Sequence, residues 1–187
     1  MEVDAIRSTE DISEIREFLR QKGAEYELLF VMGINTALRI GDLLSLLVGD
    51  VVDAHGEIAS VIILKEGKTG KTKRCPVNES LRNALTEYFA CRGGRALTEP
   101  LFVSRKKRAL SRVQAWRMLK AAGESAGLNN IGTHSLRKTF GYHAYKKSGA
   151  DIGLVQKLLN HSASGITLRY IGIDRERMDN VFLELNL

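Results

Sequence analysis

Between residues 56 and 78 the chain reads GEIASVIILKEGKTGKTKRCPVN, and only here does its hydrophobic period become that of a strand. A β-branched run, a Gly/Lys-rich break and a second short run closed by Pro76 predict one antiparallel hairpin. Everything around it repeats its apolar residues at helical spacing. DISEIREFLRQKG carries Ile12, Ile15, Phe18 and Leu19 on one face, with Asp11 as the expected N-cap and Gly23 as the stop. YELLFVMGINTAL and IGDLLSLL predict two further helices, and SLRNALTEYFACR and SRVQAWRMLKAAGESAG, capped by Ser111, follow the hairpin. HSLRKTFGYHAYKKSG, capped by Thr133, then DIGLVQKLLN, SGITLRYI and DRERMDNVFLELNL, capped by Asp174, complete the series. The expectation is an α+β domain, predominantly α-helical, with a small antiparallel sheet. A chain of 187 residues is long enough to bury one proper core.

Several classes drop out. No apolar run approaches the roughly 18 residues of a membrane span, and the acidic N-terminus is unlike a signal peptide. Cys75 and Cys91 form no disulfide framework, which points to a reducing compartment, the cytoplasm by default. His55, His134, His143 and His161 have no ligand spacing with either cysteine, so neither metal nor cofactor is expected. Charge is uneven: residues 65 to 120 hold 15 Lys/Arg against 4 Asp/Glu, whereas residues 1 to 30 hold 4 against 8. Such a segment fits a polyanion, and also fits an ordinary solvated basic face. The cations expected to meet it are Lys65, Lys71, Lys73, Arg74, Arg105, Lys106, Lys107, Arg108 and Arg112.

Particular residues sharpen this. In THSLR, His134 and Arg137 stand one turn apart at a helix start, where free N–H groups and the dipole favour an anion. In TALRIGDLL, Arg39 falls at a junction between helices, with Asp42 placed to orient its guanidinium. The hairpin loop EGKTGKTKR offers Lys68, Lys71, Lys73 and Arg74, and a lysine on such a tip can reach a phosphate and protonate a departing alkoxide when neighbouring cations depress its pKa. LLNHSASGITLRYIG sets His161 nine positions before Tyr170 across small and polar residues. A tyrosine is a poor nucleophile at its ordinary pKa of about 10, and attack by it needs cations to hold its phosphate target. Each fragment alone also fits a structural histidine, a surface ion pair or a packed tyrosine.

Taken in order, Arg39 in LRxxD, Lys68 in a GKxxK hairpin, HxxR at 134 to 137 and the histidine and tyrosine at 161 and 170 resemble the catalytic domain of the tyrosine recombinases, the phage integrase family. The resemblance spans about residues 10 to 180. It implies that Tyr170 attacks a DNA phosphodiester to leave a 3′-phosphotyrosyl link and a free 5′-hydroxyl. It also implies that Arg39 and Arg137 hold the non-bridging oxygens with help from His161, that His134 serves as general acid/base toward the tyrosine, and that Lys68 protonates the leaving oxygen. The partners it implies are double-stranded DNA and further copies of the chain, four protomers on two DNA sites. Family members usually carry an N-terminal core-binding domain, and only 38 residues precede Arg39. The expectation is one catalytic domain over residues 1 to 187 without that clamp. Two other readings are a type IB topoisomerase, which reseals the same strand, and a DNA-binding regulator that keeps the fold without cleaving.

Overall fold

A computed structural model describes residues 3–53, 55–93, 96–104 and 108–185, with the side chains of 174–177 and 180 left aside. Its helices are α1 (Thr9–Lys22), α2 (Ala24–Thr36), α3 (Ile40–Leu44), α4 (Glu79–Arg92), α5 (Arg112–Ser125), α6 (Thr133–Lys147), α7 (Ile152–Leu158), α8 (Ser164–Ile171) and α9 (Ile173–Glu184). Strands β1 (Val61–Lys65) and β2 (Thr72–Pro76) pair antiparallel, from Val61 opposite Pro76 to Lys65 opposite Thr72. Pairing runs one step further, because Glu66 N donates to Lys71 O at 2.9 Å, and Gly67–Gly70 forms the tip. The fold is thus α+β and mostly helical with one small sheet, as the hydrophobic periods predicted.

Three caps differ from expectation. Ser8, not Asp11, caps α1: its hydroxyl accepts from Glu10 N and Asp11 N, leaving both acids in the first turn where the dipole favours them. Gly132, not Thr133, caps α6, and its N–H donates to Ser135 Oγ at 3.1 Å. Gly172, not Asp174, caps α9; at φ 77° it takes the left-handed turn that separates α8 from α9. Ser111 caps α5 as expected, its hydroxyl accepting from Gln114 N.

Helix α6 is the axle. Ser135, Leu136, Arg137, Lys138, Thr139, Gly141 and Tyr145 are buried along it, and it separates two apolar clusters. The larger joins α1, α2, α4 and α5 around Leu19, Phe30, Leu85, Phe102 and Leu119. The smaller gathers Ala37, Tyr145, Val155, Leu159, Ile171 and Ile173. Two glycines set these approaches. A Cβ at Gly33 would lie 2.5 Å from Leu136, and one at Gly141 would lie 2.7 Å from Ile171. Absence of those side chains lets α2 and α8 close on α6 from opposite sides. The ends of α2, α7 and α8 therefore converge on Arg137.

Candidate active site

The convergence begins with backbone. Ala37, which ends α2, is left-handed (φ 56°), and its carbonyl accepts from both the Arg137 guanidinium and Lys73 Nζ, the latter at 3.2 Å. Arg137 also donates to Leu159 O and is 3% exposed. Lys73 also donates to Leu158 O at 3.0 Å. These bonds fasten the last turn of α7 to the junction between α2 and α3. Arg39 caps α3 two residues beyond Ala37, and its Nη1 donates to Glu66 Oε1 at 2.9 Å.

Asp42 does not orient Arg39 as expected. Its Oδ1 accepts from Gly67 N at 2.9 Å, tying α3 to the hairpin tip, and its buried Oδ2 has no hydrogen-bond partner. Glu66 takes the role instead. The carboxylate is fully buried and also accepts from Thr69 Oγ1 at 2.7 Å and Asn160 Nδ2 at 3.0 Å.

Lys68 lies exposed on the tip. Lys73 was expected to meet DNA from the surface, but β2 turns it inward, and burial followed by the nearby Arg137 charge lowers its pKa to about 8. Lys65, Lys71, Arg74, Arg108 and Arg112 are exposed, consistent with a basic surface. Arg112 opens α5 with its guanidinium close over Gly41. Arg105, Lys106 and Lys107 lie outside the described residues.

His134, at the start of α6, has its pKa lowered by desolvation first and then by Arg137, Lys138, Arg39 and Lys68. His161 follows the corner after α7 and directs Nδ1 at Thr167 Oγ1, 3.1 Å away on α8. Desolvation, Arg137, Arg39 and Lys73 take its pKa down to about 4, so the ring is neutral at pH 7. With Nδ1 engaged by Thr167, Nε2 remains for a ligand. The ring stands edge-on to Tyr170, with centroids 5.0 Å apart. Tyr170 lies on α8 with Lys138 Nζ 5.4 Å from its ring centroid. Its hydroxyl is buried without a well-aligned hydrogen bond. Desolvation raises the phenol's pKa, and the charges of Arg137 and Arg39, with the Arg137 guanidinium reaching toward the hydroxyl, work against the rise.

The two arginines, both histidines, the hairpin and the tyrosine thus share one cationic cluster. Sequence reasoning missed Glu66, Asn160 and Thr167. Glu66 had a signal, as the one acid among the cations of residues 65 to 74.

The His161 shift fixes a pH dependence of stability. Between its ordinary value of 6.5 and about 4, the unfolded chain holds a proton that the folded chain refuses. Stability should therefore fall as pH drops through that window and change no further from this source below it. Half-burial of the ring reduces the size of the effect through solvent screening. Melting temperatures from pH 7 to pH 4 should fall less steeply for His161→Gln than for the parent. Identical slopes would contradict the assignment.

Comparison with known proteins bears on the family and the fold. The profile described as "Phage integrase family" matches residues 7–177. "Probable integrase/recombinase YoeC" of Bacillus subtilis (strain 168) is 43% identical over 175 residues, covering 93% of this chain and 92% of that one. "Tyrosine recombinase XerC" of Roseiflexus castenholzii is 33% identical over 166 residues, and the match spans 86% of this chain but 49% of that protein. Among solved structures, XerA recombinase superposes with a TM-score of 0.74 at 21% identity, over 100% of this chain and 65% of that one. XerH bound to a palindromic difH substrate after cleavage gives 0.70 at 23%, over 96% and 53%. At those identities the structural likeness is one of fold.

Proposed function

The chain belongs to the phage integrase family, and from that premise we propose that it cleaves and rejoins double-stranded DNA through a covalent 3′-phosphotyrosyl intermediate. The observation that carries this reading is the placement of the Tyr170 hydroxyl: buried, without a well-aligned hydrogen bond, and within the field of Arg137 and Arg39. A scissile phosphate brought to that hydroxyl meets the charge that stabilises a pentavalent phosphorane.

Tyr170 attacks the phosphorus, and the 5′-oxygen leaves. Arg39 and Arg137 neutralise the non-bridging oxygens, and His161 assists through Nε2. His134, exposed at the helix start with a lowered pKa, takes the phenolic proton as general base. Lys68 protonates the departing 5′-oxygen, reaching it from the tip that Asp42 anchors through Gly67 N. Attack by a 5′-hydroxyl on the phosphotyrosine then reseals the strand without ATP. When that hydroxyl belongs to a second duplex, the outcome is recombination, carried by four protomers on two sites. A lambda integrase related in fold has been solved as a tetramer bound to a Holliday junction. Both cysteines are free thiols, which fits work on DNA in the cytoplasm. No helix among the described residues is long and apolar enough to cross a membrane.

The test is selection. A random-sequence duplex library, nicked so that the 5′-hydroxyl fragment diffuses away, is incubated with the protein, and DNA covalently bound to it is recovered and sequenced. The expected result is a defined site joined to Tyr170 through its 3′-phosphate. Two such sites on one plasmid should then recombine; relaxation without exchange would favour the topoisomerase reading. Failure to recover any covalent DNA would sink cleavage and leave the regulator.

Because side chains supply the positive charge at the phosphate, adduct yield in EDTA should stay within about twofold of the yield in magnesium. Loss of cleavage in chelator, restored by a divalent ion, would overturn the mechanism.

A further inference from the structure

Glu66 is the one buried carboxylate on the hairpin, and it touches three separate pieces of the cationic cluster. Its Oε1 accepts from Arg39 Nη1 at 2.9 Å and lies 3.9 Å from Arg137 Nη1. Its Oε2 accepts from Thr69, which follows Lys68, and from Asn160, which precedes His161. Asn160 is left-handed (φ 49°), an uncommon conformation for a residue other than glycine, and the Glu66 bond holds its side chain there. Removed from water, a carboxylate is costly unless it is paired and hydrogen-bonded, and here Arg39, Thr69 and Asn160 all donate to it. Burial first, and the neighbouring cations after it, press down the Arg137 and Lys73 pKa values, whereas the Glu66 charge acts in the opposite sense on both. Unscreened, these cations would repel one another.

Resting on the recombinase reading, we infer that Glu66 is a positioning residue for strand cleavage: a buried counter-ion that sets Arg39 beside Arg137 and draws the Lys68 loop and the His161 corner to them. It touches none of the reacting atoms. It acts through the groups that do, which predicts an effect on rate rather than on DNA affinity. Misplacing such groups by about an ångström can cost on the order of 100-fold in rate.

The experiment uses the nicked duplex recovered by selection and measures single-turnover adduct formation at saturating protein, with affinity measured separately. Glu66→Gln keeps the volume and one acceptor but removes the charge and one acceptor position. It should slow adduct formation about 100-fold while changing affinity for the same duplex by less than about twofold. Asn160→Ala and Thr69→Ala remove one bond each and leave the buried charge, so each should slow the step about fivefold, the equivalent of one hydrogen bond. The effect of Asn160→Ala should largely vanish in the Glu66→Gln background, because the two act as a unit. Should Glu66→Gln fail to fold, the two single-bond variants decide alone.

A Glu66→Gln protein that cleaves at the parental rate overturns the inference. So does one that cleaves faster, which would make the carboxylate a competitor for the phosphate's place, and so do Asn160→Ala and Thr69→Ala variants that both match the parent. A parent that forms no adduct counts against the recombinase reading itself and is recognised before any variant is compared.

Discussion

Tyr170→Phe is expected to abolish the covalent protein–DNA adduct, a loss of about 10⁴-fold or more, since no other group replaces the attacking oxygen. Affinity for the duplex should change by less than about twofold, because the cations that meet the backbone remain. The structure adds a second expectation. The Tyr170 hydroxyl is buried beside the Arg137 guanidinium without a well-aligned hydrogen bond, so the folded chain bears the cost of desolvating it with little return. Phenylalanine keeps the ring against His161 and beneath Lys138 while removing that cost. The variant should melt at the same temperature as the parent or higher, with a gain of up to about 1 kcal/mol. Adduct formation, affinity and melting are measured on one preparation, so a dead enzyme cannot be mistaken for an unfolded one. An adduct that survives the change would move the nucleophile to another tyrosine, such as Tyr142 or Tyr145. Tyr145 is buried in the smaller core, and Tyr142 stacks with Arg7 and Lys146. Loss of DNA binding along with cleavage would instead assign Tyr170 a binding role.

The helices and the hairpin were legible because their signals are local. Ile12, Ile15, Phe18 and Leu19 mark one face of α1 whatever else the chain does, and Ser111 with Gln114 closes α5 within one turn. Caps were less secure where two good candidates lie within a few residues. Ser8 prevails over Asp11 because capping there moves Glu10 and Asp11 inside the first turn, a gain that choosing one cap residue in isolation does not weigh. The site divides along the same line. The order and spacing of Arg39, HxxR, His161 and Tyr170 carry the resemblance, yet what holds each side chain depends on contacts far apart in sequence. Glu66 meets Arg39 across 27 positions and Asn160 across 94. No local period encodes those meetings. Lys73 is the instructive middle case. In a strand, residues two apart share a face, so Lys73 lies on the side of buried Cys75, away from exposed Thr72 and Arg74. Alternation was present in the sequence, and treating the hairpin cations as one electrostatic set passed over it.

Deleting residues 174 to 187 is expected to leave a folded monomer that binds a single site but recombines two sites poorly. The buried contacts of the smaller core end at Ile171 and Ile173, both before the cut. Beyond it, Met178, Val181, Phe182, Leu183 and Leu185 on and just after α9 are all more than half exposed, and Phe182 is 81% exposed. The described side chains of this tail therefore supply little to the fold of their own chain. Apolar side chains presented together in this way mark a surface for another molecule, and in an assembly on DNA the nearest candidate is the next protomer. Burying three of them would contribute on the order of 4 kcal/mol, equivalent to a several-hundred-fold change in assembly. Since α9 follows α8 across Gly172 alone, docking the tail on a neighbour also bears directly on where α8 presents Tyr170. The truncated chain should melt within a few degrees of the parent, bind one site with nearly parental affinity, and recombine two sites at least about 100-fold more slowly. A truncated monomer that unfolds would show that the tail serves its own domain, and undiminished recombination would show that the exposed stripe has no part in assembly.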